Sequence, residues 1–247
     1  MQYNSDHIDK ASVMERYVKQ GSTFQLLKER ILLGKMNHGY LFTGVSGSGK
    51  YALAVLFSQM LFCSGKDKPC GVCQGCQKVL RKTHPDVEEI VTTKSSITVD
   101  QIRAATSKTE KHAYEGGYQV VIIHEAEKIT PQGQNALLKT LEEPQEQVVF
   151  LLLTKEKTLL LPTILSRVQI ISLPCASVDE IDQCLQQQQI SQQQRKKISY
   201  LAQGSLGTAL DYVQDKSFFE KRNEILHQFL GVTSFSEVLF FSSLYKD

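Results

Sequence analysis

The chain has 247 residues, 41% hydrophobic and 22% charged, with 15 Gly and 6 Pro. These proportions exclude a disordered polymer and leave room for one large domain or two smaller ones around a buried core. Lys and Arg number 28 against 26 Asp and Glu, a net charge of +2, so no global field selects nucleic acid or a membrane surface. Apolar runs such as residues 148–153 are far shorter than the roughly 18 residues of a membrane span. The polar first ten residues carry no secretory signal, and the expectation is a soluble, cytoplasmic protein with reduced thiols.

Strand and helix signals alternate through the first two thirds, the pattern of an α/β domain with a mostly parallel sheet. Residues 40–43 form a short apolar strand entering a glycine-rich turn, and residues 51–62 carry apolar side chains at helical spacing. A second strand is predicted over 87–91, followed by a helix from the capping box of Thr98 and Gln101 to about residue 111. A buried strand covers 118–123, and Thr130 with Pro131 starts a helix that Pro144 stops. Residues 148–153 are another buried strand, 162–167 a short helix, and 168–173 the last strand. Past Pro174 the reading turns helical, with capping boxes at Ser177 and Glu180 and at Ser191 and Gln194. The glutamine-rich stretch 186–194 reads as a solvated helix and its turn. A boundary near residue 175 divides the chain into a nucleotide-loop domain (1–174), a helical unit (175–216) and an amphipathic helical remainder (217–247).

Gly44-Val45-Ser46-Gly47-Ser48-Gly49-Lys50-Tyr51 fits G-x-x-x-x-G-K between a strand and a helix, the context that gives the motif meaning. Gly44, Gly47 and Gly49 let backbone N–H groups converge on phosphate oxygens, and Lys50 bridges terminal phosphates. The next position normally supplies a Ser or Thr hydroxyl to Mg²⁺, which the phenol of Tyr51 cannot place at that reach. A hydrolysing P-loop enzyme also ends its central strand on Asp then Glu, whereas here Val120 to Ile123 runs into His124-Glu125. Imidazole is a poor ligand for Mg²⁺. ATP or ADP therefore remains a candidate ligand for a loop without its metal contacts, and turnover is not expected.

Cys63, Cys70, Cys73 and Cys76 space as C-x6-C-x2-C-x2-C within fourteen positions. Four thiolates at this spacing, with Gly65, Pro69, Gly71 and Gly75 to turn the loop, match a tetrahedral structural Zn²⁺ site ahead of free thiols, a disulfide or an iron–sulfur cluster. Ser166-Arg167 follows the short helix at the mouth of the sheet, either as a surface charge or as an arginine presented to another subunit's nucleotide. His84 and His112 read as surface or packing residues, and Cys175 and Cys184 as small apolar fillers.

His38-Gly39-Tyr40-Leu41-Phe42-Thr43-Gly44, the four-cysteine insert, His84-Pro85-Asp86, the run from Asn135 to Pro144 (NALLKTLEEP) and Leu165-Ser166-Arg167 together resemble the bacterial clamp-loader ATPase family over residues 16–212. The resemblance implies an AAA+ fold, a zinc module at the four cysteines, a helical lid after Pro174, and an Arg167 that acts in trans on ATP held by a neighbouring subunit. Val168 stands where the family usually has Cys. Tyr51, His124 and Gly207 all depart from the motor pattern, Gly207 replacing an arginine that senses phosphate, so the resemblance is to the family's non-hydrolysing stator branch. Thr154 matches its first sensor position. The implied partners are the tau/gamma motor subunits and the delta subunit, with the sliding clamp and primed DNA reached through the complex, and residues 217–247 would begin a helical collar. The rival readings are an active P-loop ATPase, which would turn over ATP through Lys50 and Glu125, and a zinc-dependent DNA-binding module, whose affinity would fall steeply with salt.

Overall fold

The computed structural model describes residues 9–222 apart from 93, 111, 116, 216 and 218–220. The expected helical remainder thus lies almost wholly outside the described residues. Two helices that the sequence reading did not identify come first, α1 (Lys10–Gln20) and α2 (Ser22–Leu32). Asp9 caps α1 by accepting from the Ser12 N–H, and Met14 and Val18, four apart, are its buried stripe.

Five strands follow, β1 (Gly39–Thr43), β2 (Val87–Ile90), β3 (Gln119–Ile123), β4 (Val148–Thr154) and β5 (Gln169–Ser172). They pair in parallel in the order β2-β3-β4-β1-β5. The helices between them are α3 (Lys50–Phe62), α4 (Gln74–Leu80), α5 (Val99–Thr109), α6 (Pro131–Glu142) and α7 (Pro162–Leu165). Thr98 and Gln101 form the expected capping box, and Thr130 accepts from the Gly133 N–H with Pro131 in the first turn.

Because strand side chains alternate faces, the sheet builds two cores. Leu41, Val121, Ile123, Phe150 and Leu152 pack with Ile102, Leu137 and Ile164 from α5, α6 and α7. Tyr40, Phe42, Val120, Ile122, Leu151 and Leu153 pack with Leu53, Phe57 and Met60 of α3 and with Phe24 and Leu27 of α2. The result is three layers with β4 wholly buried between them. Each fully buried Leu or Phe contributes about 1.5–3 kcal/mol to this arrangement.

After β5 the chain is helical, with α8 (Val178–Leu185), α9 (Gln192–Leu201) and α10 (Leu206–Gln214). The capping boxes at Ser177 and Ser191 both form. Ile181, Leu185, Ile198, Leu206 and Leu210 make a third core, which Met14 of α1 joins. The glutamine run starts at the C-cap of α8, Gln186, and forms the connecting turn and the start of α9. Among the described residues no helix is long and apolar enough to cross a membrane.

Candidate functional site

The glycine loop leaves β1 at the strand-end edge of the sheet, where loops of a parallel sheet gather, and opens α3 at Lys50. Gly47 and Gly49 hold φ of +71° and +94°, backbone that other residues rarely adopt. The loop is closely covered. The Gly207 N–H at the start of α10 donates to the Gly47 carbonyl at 2.9 Å, and a Cβ on Gly207 would fall 2.6 Å from Gly47 Cα. A Cβ on Gly49 would fall 2.5 Å from Val18 Cγ2 of α1. Lys50 Nζ donates to the carbonyls of Gly44 (2.7 Å) and Val45 (2.8 Å), and burial lowers its pKa.

The two positions that set the loop apart from a hydrolysing enzyme meet in space. Tyr51 and His124 stack with ring centroids 4.9 Å apart. Both reach one carboxylate: Tyr51 Oη donates to Glu89 Oε1 at 2.9 Å, and His124 Nε2 lies 3.1 Å from Glu89 Oε2. Lys82 Nζ donates to the same Oε2 at 3.2 Å and sits 4.7 Å from the centre of the Tyr51 ring. Burial alone would raise the Glu89 pKa, but hydrogen bonds from His124, Tyr51 and Lys82 outweigh it and hold the carboxyl down at about 2. Burial is also the main reason the Tyr51 phenol is pushed up.

Tyr51, Lys82 and His124 border a cavity of about 680 Å³ that also touches Lys50, Glu125, Thr154 and Gly207. Glu125 adopts φ +46° and pairs with Lys128 Nζ at 2.8 Å. Thr154 Oγ1 donates to Glu127 Oε2 at 2.8 Å, so this hydroxyl is already engaged within the chain.

Arg167 lies elsewhere. It follows α7 and precedes β5, whose Gln169 pairs with Tyr40 near the beginning of β1. A Cβ on Gly39 would lie 3.7 Å from the Arg167 carbonyl. This is the strand-start edge, not the mouth of the sheet expected from the sequence, and about 15 Å of strand separates it from the glycine loop. Its Nη2 stands 2.7 Å from Glu142 Oε1, and its Nη1 donates to the Thr163 carbonyl at 2.9 Å and to Ser166 Oγ at 3.1 Å.

The four cysteines converge between α3 and α4. Their sulfurs all lie within 4.8 Å of one another, a set able to hold a metal ion. Cys63 Sγ accepts from the N–H groups of Gly65 and Cys70, and Cys70 Sγ from that of Cys73, each at 3.3 Å. Backbone N–H donors, that of Cys76 foremost, lower the Cys73 pKa to about 5, while burial pushes Cys76 up. Beside the cluster His84 is a packing residue, 4% exposed and stacked on Phe62 at 3.9 Å. Cys184 is partly buried among the helices, but Cys175 is exposed and so is no apolar filler; it lies in the link just after Pro174.

The sequence reading missed Glu89, Lys82 and Glu142 as partners of the residues it singled out. No local signal joins Tyr51 to Glu89, 38 positions away. The Met14 and Val18 spacing behind Asp9 could have revealed α1.

A family model described as DNA polymerase III, delta subunit, matches residues 19–177. The chain belongs to this family. The delta' subunit of DNA polymerase III from Bacillus subtilis is 30% identical over 219 residues, 86% of this chain and 66% of that protein. The tau subunit from Escherichia coli is 33% identical over 201 residues, 78% of this chain and 31% of that protein. The chain therefore spans less than two thirds of the length of these delta-family and tau relatives. The crystal structure of a gamma subunit-related protein from Thermotoga maritima superposes with a TM-score of 0.52 and 20% identity, covering 91% of this chain and 78% of that one. The fold of this delta-family chain is the AAA+ P-loop type, with a cysteine cluster that fits a zinc insert and a helical unit after β5 that meets the glycine loop through α10.

Proposed function

We propose that this chain is a delta'-like stator of the bacterial clamp loader, a non-hydrolysing member of a ring of ATPase subunits that helps load the sliding clamp on primed DNA. The observation that supports it most is the Tyr51–Glu89–His124 cluster. Where a hydrolysing relative needs a hydroxyl and a carboxylate to hold magnesium, this chain has a phenol and an imidazole tied to one carboxylate that Lys82 also reaches. Gly44, Gly47, Gly49 and Lys50 are then a degenerate ATP or ADP loop, covered by α1 and by the lid of residues 175–216.

In this reading the chemistry is done next door. Arg167, facing outward from the opposite edge, cannot reach its own loop across the sheet and is free to meet ATP bound by a neighbouring tau/gamma motor subunit, where a cation stabilises the charge developing on the transferred phosphoryl group. The delta subunit completes the ring. Cys63, Cys70, Cys73 and Cys76 would hold a structural Zn²⁺: four sulfur donors complete its coordination and leave no open position for catalysis. Elemental analysis should find one zinc per chain, and a folded zinc-free chain would remove that assignment.

The decisive experiment is Mg²⁺-dependent ATP turnover by the purified chain alone. No turnover above background is expected. Robust turnover that disappears in Lys50→Ala would instead make this an active P-loop ATPase.

A further inference from the structure

The helix α6 controls the segment that carries Arg167 in two places. Near its start Gln134, 3% exposed, donates Nε2 to the carbonyls of Ile129 and Leu159 at 3.2 Å each and accepts the Leu161 N–H at 2.7 Å. The turn leading into α7 is thereby tied to the α6 side by a buried amide, which costs free energy to break because its partners would be left unsatisfied. At its end α6 places Glu142 against Arg167, with Leu141 buried beside it in the core that also contains Ile164 and Val168.

The guanidinium has five N–H donors in a rigid fork. The contacts with Glu142, Thr163 and Ser166 engage three of them. Two donors are left for an incoming anion, on a group whose plane is already fixed. An ion pair with side chains 34% and 48% exposed adds little to fold stability. Its physical effect is to remove rotamer freedom from a long side chain.

We propose that Glu142 is a positioning residue for Arg167: it holds the guanidinium so that the unengaged N–H edge faces the terminal phosphate of a nucleoside triphosphate on the adjacent subunit. The inference rests on the trans-arginine reading above. The arginine keeps its carboxylate partner while it meets the phosphate, so removing that partner lowers the rate instead of releasing a restrained cation.

The test is a double-mutant cycle in the full clamp loader reconstituted with this chain, comparing wild type, Glu142→Ala, Arg167→Ala and the double variant. Glu142→Ala should lower the Arg167-dependent part of kcat on the order of threefold to tenfold, leave KM for ATP unchanged and leave the melting temperature of the chain unchanged. Glu142→Gln, which keeps an acceptor oxygen, should restore part of the loss. In the Arg167→Ala background Glu142→Ala should have no further effect. An unchanged or raised kcat in Glu142→Ala, or an additive loss in the double variant, overturns the role of Glu142 while the trans arginine stands. An Arg167→Ala complex that turns over like wild type overturns the trans-arginine reading and this inference with it.

Discussion

The two edges of the sheet are built on opposite principles. At the strand-end edge most of the polar groups answer one another: Lys50 bonds its own loop, Tyr51, His124 and Lys82 share Glu89, Thr154 bonds Glu127, and Gly207 seats α10 on Gly47, while the buried Ser48 hydroxyl is left without a partner among the described residues. At the strand-start edge Arg167 is held on one side and keeps donors unengaged. A nucleotide would have to displace protein contacts at the first edge, whereas an anion can add to those already present at the second. The difference sets a largely self-bonded edge against an outward-facing one on a single AAA+ scaffold.

The sharpest way to break this comparison is to push α10 off the loop. In Gly207→Val the new side chain must fit where even a Cβ would stand 2.6 Å from Gly47 Cα. Backbone lies on both sides, so the substitution should cost about 1–3 kcal/mol, seen as a lower melting temperature and faster amide exchange in α10. Unchanged exchange there would mean that the lid does not depend on this contact.

Acid tests the Glu89 cluster. Its folded pKa of about 2 lies below the ordinary glutamate value of 4.5, so the cluster's contribution is fully present above pH 4.5 and is lost as pH falls toward about 2. After screening at this partly exposed site that contribution is about 1–2 kcal/mol. Glu89→Gln should flatten the acid limb of a stability profile measured by chemical denaturation at successive pH values; an identical limb would show that the cluster is not coupled to folding.

The smallest effect should come from restoring metal ligands. Tyr51→Thr with His124→Asp removes the stacked pair and supplies a hydroxyl and a carboxylate, and should raise Mg²⁺-dependent ATP affinity about tenfold, or about 1.4 kcal/mol, by calorimetry. The gain stays small because Gly207 and Val18 still cover the loop. No gain would mean that this cover alone closes the site.

Much of this was legible in the sequence, because it is written in local patterns. The G-x-x-x-x-G-K run, the cysteine spacing, the strand-like runs and the four caps at Thr98, Thr130, Ser177 and Ser191 act over a few residues, and each formed where its pattern placed it. The exposure of Cys175, the position of Arg167 and the helix α1 were misread or missed. Each depends on which segment packs against which.

The sequence by itself determined the order of elements, the alternating faces of the strands, the glycine loop and the four-thiol set, since dihedral preference, side-chain periodicity and ligand spacing are properties of neighbours along the chain. Only the tertiary structure decided that Tyr51 and His124 converge on Glu89, that α1 and Gly207 close the loop, and that Arg167 stands across the sheet beside Glu142. Those contacts join residues between 25 and 160 positions apart, and their geometry follows from strand order and layer packing, which bring together side chains that no local rule relates.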